Sequence, residues 1–184
     1  TAGLSRGATA PNTAVNAGEV FPPFKSKQYE AGVKVDWGSV MTTASLFQIS
    51  RPNSMTDPST NIYSFDGEQR NRGLELAAYG ELQRGLRLMG GLTFNRAKVT
   101  KAAQYQGNDA YGVPKLNANL GADWDVPGAQ GLSVNGRVIR TGSAWASNAN
   151  TLKLSGWTRF DVGARYRTQV SGKAVVLRAN VENL

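Results

Sequence analysis

The stretch Asn71–Val99, NRGLELAAYGELQRGLRLMGGLTFNRAKV, constrains the fold more than any other part of the chain. Leu74, Leu76, Ala78, Gly80 and Leu82 alternate with Glu75, Ala77, Tyr79 and Glu81. After Gln83-Arg84-Gly85 the alternation resumes. Leu86, Leu88, Gly90, Leu92 and Phe94 interleave with Arg87, Met89, Gly91, Thr93 and Asn95. A period of two puts one set on each face of a strand, so the stretch reads as a hairpin with one apolar and one polar side. Soluble strands usually run about five or six residues, and each arm here is roughly twice that. A tilted strand needs about 9–11 residues to cross a bilayer. The hairpin therefore predicts a wall with lipid on one side and water on the other. The competing reading is an oversized soluble sandwich.

Mean hydropathy is −0.36, and no apolar run approaches the roughly 18 residues of a membrane helix. A transmembrane barrel gives the same low value, because only alternate residues meet lipid. The chain has no Cys and no His, which excludes disulfides and every metal site built on thiolate or imidazole. Net charge is +8, a value that raises nucleic acid as a partner. The basic residues are spread singly, however, and many alternate with carboxylates, as in Glu30, Lys34 and Asp36 or Arg159, Asp161 and Arg165. That is a mixed-sign polar face, and no nucleic-acid partner is expected. The N-terminal TAGLSRGATAPNTAV lacks the charged and apolar regions of a secretory signal.

Residues 1–25 show no period and read as a loop or terminus. Tyr29–Trp37 alternates, with Tyr29, Ala31, Val33, Val35 and Trp37 on one side. Val40–Ser50 returns, with Met41, Thr43, Ser45, Phe47 and Ile49 as its less polar face. Arg51–Asp66 has loop composition, and Thr100–Gly112 is a polar loop. Val113–Trp124 turns Leu116, Ala118, Leu120, Ala122 and Trp124 to the apolar side. Leu132–Trp145, Trp157–Arg167 and Ala174–Leu184 complete about eight strands, with Ala146–Ser155 as a loop. Connections near Gly38, Arg84, Gly128 and Ser171 are tight, and those near Pro58, Gln106 and Asn148 are long. Short turns at one end and long loops at the other is the layout of outer-membrane barrels. Trp37, Trp124 and Tyr166 precede short turns, and Phe47, Phe94 and Phe160 lie near the long loops, which predicts two aromatic girdles on the apolar face. Tyr79 falls on the polar face.

Five segments, in order, now resemble the C-terminal part of the TonB-dependent ferric-siderophore receptors, ferrichrome-type. They are Lys27–Lys34, Asn71–Leu76, Val113–Lys115 followed by Asn119-Leu120, Trp157–Tyr166, and Asn180–Leu184. The resemblance implies an all-β fold, an antiparallel up-and-down transmembrane β-barrel of which residues 1–184 are a portion. The plug domain and the final strand lie outside it. It also implies a ferric siderophore as ligand, with no cofactor because the siderophore carries the iron. A TonB complex would be engaged through an N-terminal part not in this chain, and outer-membrane lipid would surround the barrel in the bacterial cell outer membrane.

No catalytic constellation is readable, and no enzyme activity is expected. Arg159/Asp161 and Glu30/Lys34 read as a solvated network on the polar face. Tyr105, Tyr111, Trp145 and Trp157 lie in or beside the long loops, where the resemblance implies ligand capture; each is equally an ordinary loop anchor. A porin, an adhesin or a small complete eight-strand barrel remains the alternative, as does a cobalamin, haem or sugar ligand.

Overall fold

The computed structural model describes residues 8–184; the loop-or-terminus reading of residues 1–7 lies outside the described residues. Ten strands follow in chain order: β1 Lys27–Asp36, β2 Val40–Thr56, β3 Tyr63–Gln83, β4 Leu86–Lys101, β5 Leu116–Asp125, β6 Leu132–Thr141, β7 Ala144–Trp145, β8 Lys153–Leu154, β9 Trp157–Val170 and β10 Lys173–Glu182. Eight of them form one antiparallel sheet in the order β1-β2-β3-β4-β5-β6-β9-β10, and β7 pairs β8 in a small hairpin of its own. Every neighbour in the large sheet is thus the next long strand in sequence, the expected meander. The tight β9–β10 turn carries Ser171 and Gly172, both at positive φ (53° and 75°), the backbone that a two-residue turn requires to match strand twist.

Antiparallel partners project to the same side, so the register assigns the faces. Leu46, Leu74, Phe94 and Leu116 share one row across β2 to β5. Trp124, Val134, Ala164 and Ala179 share another across β5 to β10. The opposite face carries Arg87 beside Asp123, Arg137 beside Asp161, and Tyr79 beside Met41.

β2 departs from the expected pattern. Met41, Thr43, Ser45 and Phe47 pair with Asp36, Lys34, Gly32 and Glu30, which puts them on the polar face. Thr42, Ala44 and Leu46 are the residues that join the apolar one. The alternation within β2 is weak, so its neighbours set its register. The Phe47 ring lies over Gly73, where a Cβ would collide with it. Phe47 is therefore not a girdle residue. Tyr29, on the apolar row with Gln48 and Arg72, takes that place beside Phe94 and Phe160.

The two aromatic rings also reveal strand tilt. Followed across the sheet to β4, the row of Tyr29 arrives at Arg96 and that of Phe160 at Gly90, six residues lower. At the other end, Trp37 donates its amide to Val40, whose row meets β4 at Leu88, while Trp124 pairs Leu86. Tyr166 then pairs Leu132, two residues past the partner of Trp124. Both rings slide the same way along the strands, as level girdles must when strands lean relative to the barrel axis. β5 has 10 residues; at about 3.4 Å each and a lean of about 40° it covers roughly 26 Å of height, against about 25 Å for the apolar band of such barrels.

Past the girdle the sheet continues. β2 and β3 run 17 and 21 residues, and their pairing carries on beyond Pro52 through a bulge between Asn53 and Met55. The expected loop Arg51–Asp66 shrinks to residues 57–62, closed by Asp57, which accepts from the Ser59 and Thr60 amides. Residues 8–26 form a folded loop against this extension. Asn16 bonds both backbone groups of Tyr63, each at 2.9 Å, and Phe21, Phe24, Tyr63 and Phe65 pack as a four-ring cluster.

With the apolar face in a bilayer, Leu120 sits midway between the girdles and Asn119 faces water. Leu120→Arg is expected to cost about 2–4 kcal/mol of stability and Asn119→Arg under about 1 kcal/mol, measured by urea unfolding of the intact protein in lipid vesicles. Equal costs would contradict the face assignment.

Candidate functional site

The long connections do not hang free of one another. Residues 102–115 and 142–156 meet around Asp109. Its carboxylate bridges Lys98 at the end of β4 and Lys115 just before β5, both at 2.8 Å, and accepts from Trp145 Nε1 at 3.3 Å. Its backbone completes a two-way pair with Asn150: the Asp109 amide donates to Oδ1 and Nδ2 donates to the Asp109 carbonyl, each at 2.9 Å. Asn150 reaches this position at φ 55°, a left-handed backbone that Asn tolerates well. Asn108 donates to the Asn148 carbonyl at 2.8 Å, and the Gly112 amide to that of Trp145 at 2.8 Å.

Beneath this junction lies the sheet's small buried core. Ala110 packs on Ala97 and Val99, with Ala102 and Val113 alongside, and Val99 is 1% exposed. Gln69, paired with Val99 across β3 and β4, is also buried and accepts from Arg51 at 2.9 Å. Burial pushes the Asp109 carboxyl up, but hydrogen bonds from Lys115, Lys98 and Trp145 outweigh it and hold the group at about 2. It is an anion at every physiological pH.

The four aromatic residues singled out in the sequence fall in three places. Trp145 is half-buried, fixed by Asp109 on its indole nitrogen and by Lys153, whose ammonium sits 5.6 Å from the ring centre. Tyr111 is exposed beside it, with its amide aimed at Asn148. Tyr105 is an exposed turn residue at φ 61° on the far side of the same loop. Trp157 is exposed at the start of β9, on the polar row opposite Thr141. Tyr111 and Trp145 are brought together, whereas Tyr105 and Trp157 stand apart. The ring cluster that does form, Phe21, Phe24, Tyr63 and Phe65, is not readable in the sequence: its rings come from two distant segments, joined by the pairing of Asn16 with Tyr63 and by bonds of Val15 and Thr13 with Asn61.

Further down, the polar face carries two charge clusters. Asp161 accepts from Arg137 and Arg159, each at 2.9 Å, and from the Asn183 amide at 3.1 Å. Asp123 receives Arg87 and Arg165, with Ser133 bridging Arg165 and Asp125. The Arg159/Asp161 pair is present as expected. Glu30 instead accepts from Gln28 at 3.0 Å. Individual solvent-exposed pairs add little, but these clusters tie β4, β5, β6 and β9 across a hydrated surface.

A family model described as "TonB dependent receptor-like, beta-barrel" matches residues 1–184. The ferrichrome receptor FcuA of Yersinia enterocolitica is 46% identical over 172 residues, 92% of this chain and 23% of that protein. The ferrichrome outer membrane transporter/phage receptor of Escherichia coli (strain K12) is 34% identical over 173 residues, 89% and 23%. Among solved structures, BauA, the ferric preacinetobactin receptor from Acinetobacter baumannii, aligns at TM-score 0.87 with 44% identity, covering 99% of this chain and 28% of that one. The siderophore receptor PiuA from the same species aligns at 0.77 with 26% identity, covering 88% and 24%. The chain spans about a quarter of the length of the curated relatives it matches.

Asp109→Asn removes both ion pairs, and the loop junction is expected to weaken by about 1–3 kcal/mol. Hydrogen exchange of the Asn108–Gly112 amides in the intact protein reads this as about tenfold or faster exchange. Because the folded carboxyl lies below its ordinary 3.8, the stabilisation is fully present above that value and is lost as pH falls toward about 2. Protection that holds from pH 7 to 4 and drops below is expected. An unchanged exchange rate in the variant would remove Asp109 as the hub.

Proposed function

The chain belongs to the TonB-dependent receptor β-barrel family, and from that membership we propose that it is an arc of the barrel wall of an outer-membrane receptor that takes up a ferric siderophore by TonB-coupled transport. The 46% identity to a ferrichrome receptor over 92% of the chain carries this reading. The family is one of transport receptors rather than enzymes. The alternative of a porin, adhesin or complete small barrel has no observation in its favour.

The geometry supplies the parts such uptake needs. The apolar face, bounded by two aromatic rings, seats the wall in lipid. The polar face lines a water-filled interior, and its Arg–Asp clusters keep it hydrated and rigid. At the outer end the interlocked loops offer Tyr111 and Trp145 as a preformed contact surface. A loop already ordered by Asp109 pays less entropy on capturing a ligand than a free one, which favours affinity. The siderophore chelates the iron, so the protein needs to recognise only the organic shell, for which aromatic faces and polar loop backbone are suited. Tyr105 and Trp157 are assigned to the same mouth as more distant contacts. TonB engages the receptor through a segment other than these strands.

Changing Tyr111 and Trp145 together to Ala is expected to weaken ferric-siderophore binding by about 1–3 kcal/mol, read from a binding isotherm on the purified intact receptor with ferrichrome as probe. Trp145→Phe keeps the ring but loses the Asp109 bond, and separates contact from loop positioning. Heat-modifiable gel migration is the folding control. Unchanged affinity in the folded double variant would remove this pair from the site.

A further inference from the structure

Charge is unevenly spread over the interlocked loops. Asp109 is the only carboxylate between residues 96 and 115, and residues 140–159 hold none. Lys98, Lys115 and Lys153 all meet at this junction. The neighbouring outer end, around Asn16 and Tyr63, has carboxylates of its own in Glu19, Asp57, Asp66 and Glu68, so the cation excess is local. Asp109 has spent both oxygens, Oδ1 on Lys98 at 2.8 Å and Oδ2 on Lys115 at 2.8 Å and Trp145 at 3.3 Å. Lys115 gives it one of three N–H donors, and its side chain is 66% exposed. Lys153 is exposed and forms neither an ion pair nor a side-chain hydrogen bond among the described residues. Its ammonium rests 5.6 Å from the Trp145 ring centre, a contact that attracts the charge without neutralising it.

These groups share a cavity. Lys115, Ser143, Trp145, Lys153 and Asp109 line a space of about 50 Å³. It has room for a group of a few heavy atoms and far too little for a whole siderophore. Only a substituent can enter, and the walls decide its chemistry. Two ammonium groups and the Ser143 hydroxyl can donate hydrogen bonds, the indole offers a flat apolar side, and the single carboxylate is already saturated. Donors with an excess of positive charge favour a small anion. Bonds between an ammonium and a carboxylate are about twice as strong as neutral ones.

We propose that Lys115 and Lys153, beside the Trp145 ring, form a subsite for a carboxylate projecting from the ferric siderophore, so that the receptor favours an anionic complex over a neutral one of the same shape. Lys153 is the specificity-determining residue, because its charge has no partner. Lys115 supports it with the donors that Asp109 leaves over, and Asp109 holds Lys115 and Trp145 in place. The cation excess also steers an anionic complex toward the junction before contact, an effect that salt screens. This inference rests on the siderophore-uptake reading above and adds the charge class of the ligand to it.

The test compares two probes on the purified intact receptor: ferrichrome, a neutral ferric trihydroxamate, and a ferrichrome derivative carrying one added carboxylate. The quantity read is the ratio of their affinities, so a variant that loosens the fold lowers both and leaves the ratio alone. At about 0.02 M salt the parent is expected to bind the carboxylate derivative about tenfold more tightly, the worth of roughly one charged contact. At about 0.5 M salt the preference should shrink to about threefold or less. Lys153→Gln should lose most of the preference, Lys153→Glu should reverse it, and Lys153→Arg should retain it. Lys101→Gln, which removes the same charge opposite Glu68 at the end of β4, should leave the ratio at the parent value. Equal affinity for the two probes in the parent, or a full preference surviving in Lys153→Gln, would overturn the subsite while leaving siderophore uptake standing. Binding of neither probe would count against the siderophore reading itself, and the subsite would fall with it.

Discussion

Backbone pairing in a fixed antiparallel register is the constraint on which everything else in this chain depends. In a sheet the side-chain period is two, so a slip of one residue would send every leucine of a strand to the polar face and every charge to the apolar one. Where one face meets hydrocarbon such a slip is prohibitive, because unsatisfied backbone and buried charge both cost several kcal/mol. The register from β1 to β10 is continuous through the membrane-height part of the sheet, and the irregularities fall at its margins: between Asn53 and Met55, between Glu68 and Gln69, and between Glu81 and Gln83. The bulges thus sit where the chain leaves the apolar band, and the two-faced wall is uninterrupted between them.

That same register explains what was legible in the sequence. β3, β4, β5 and β9 each carry strong alternation, and their faces follow from their residues alone. β2 does not: Thr42, Ala44 and Leu46 against Thr43, Ser45 and Phe47 is nearly balanced, and only pairing with β1 and β3 settles it. Phe47 misled because a large ring is an apolar signal, yet here it covers the bare backbone of Gly73. Proline and asparagine in Arg51–Asp66 read as a loop, but Pro52 needs only an irregular ladder and gets a bulge one residue later. Local composition reports whether a segment tolerates a turn; it does not report that partners on both sides continue.

The outer end was less readable for a different reason. Its contacts join residues tens of positions apart: Asn16 with Tyr63, Asp109 with Asn150, Asn108 with Asn148. No periodicity encodes such pairings. Tyr111 and Trp145 stand out in the sequence because aromatics near loops are conspicuous, whereas Asp109, which joins both loops, reads as one polar residue among many. A barrel wall with a hydrogen-bonded crown differs in its energetics from one with free loops: the entropy of ordering the loops is spent during folding.

The central claim is that, between its two aromatic rings, one face of this sheet meets lipid and the other water. An accessibility scan along β9 tests it most directly. Nitroxides placed singly from Trp157 to Val170 in the intact receptor, in lipid vesicles, are measured for collision with oxygen and with a water-soluble nickel chelate. The register predicts strict alternation, with Phe160, Val162, Ala164 and Tyr166 reporting oxygen and Arg159, Asp161, Gly163 and Arg165 reporting nickel. Absence of alternation, or the reverse phase, would contradict it.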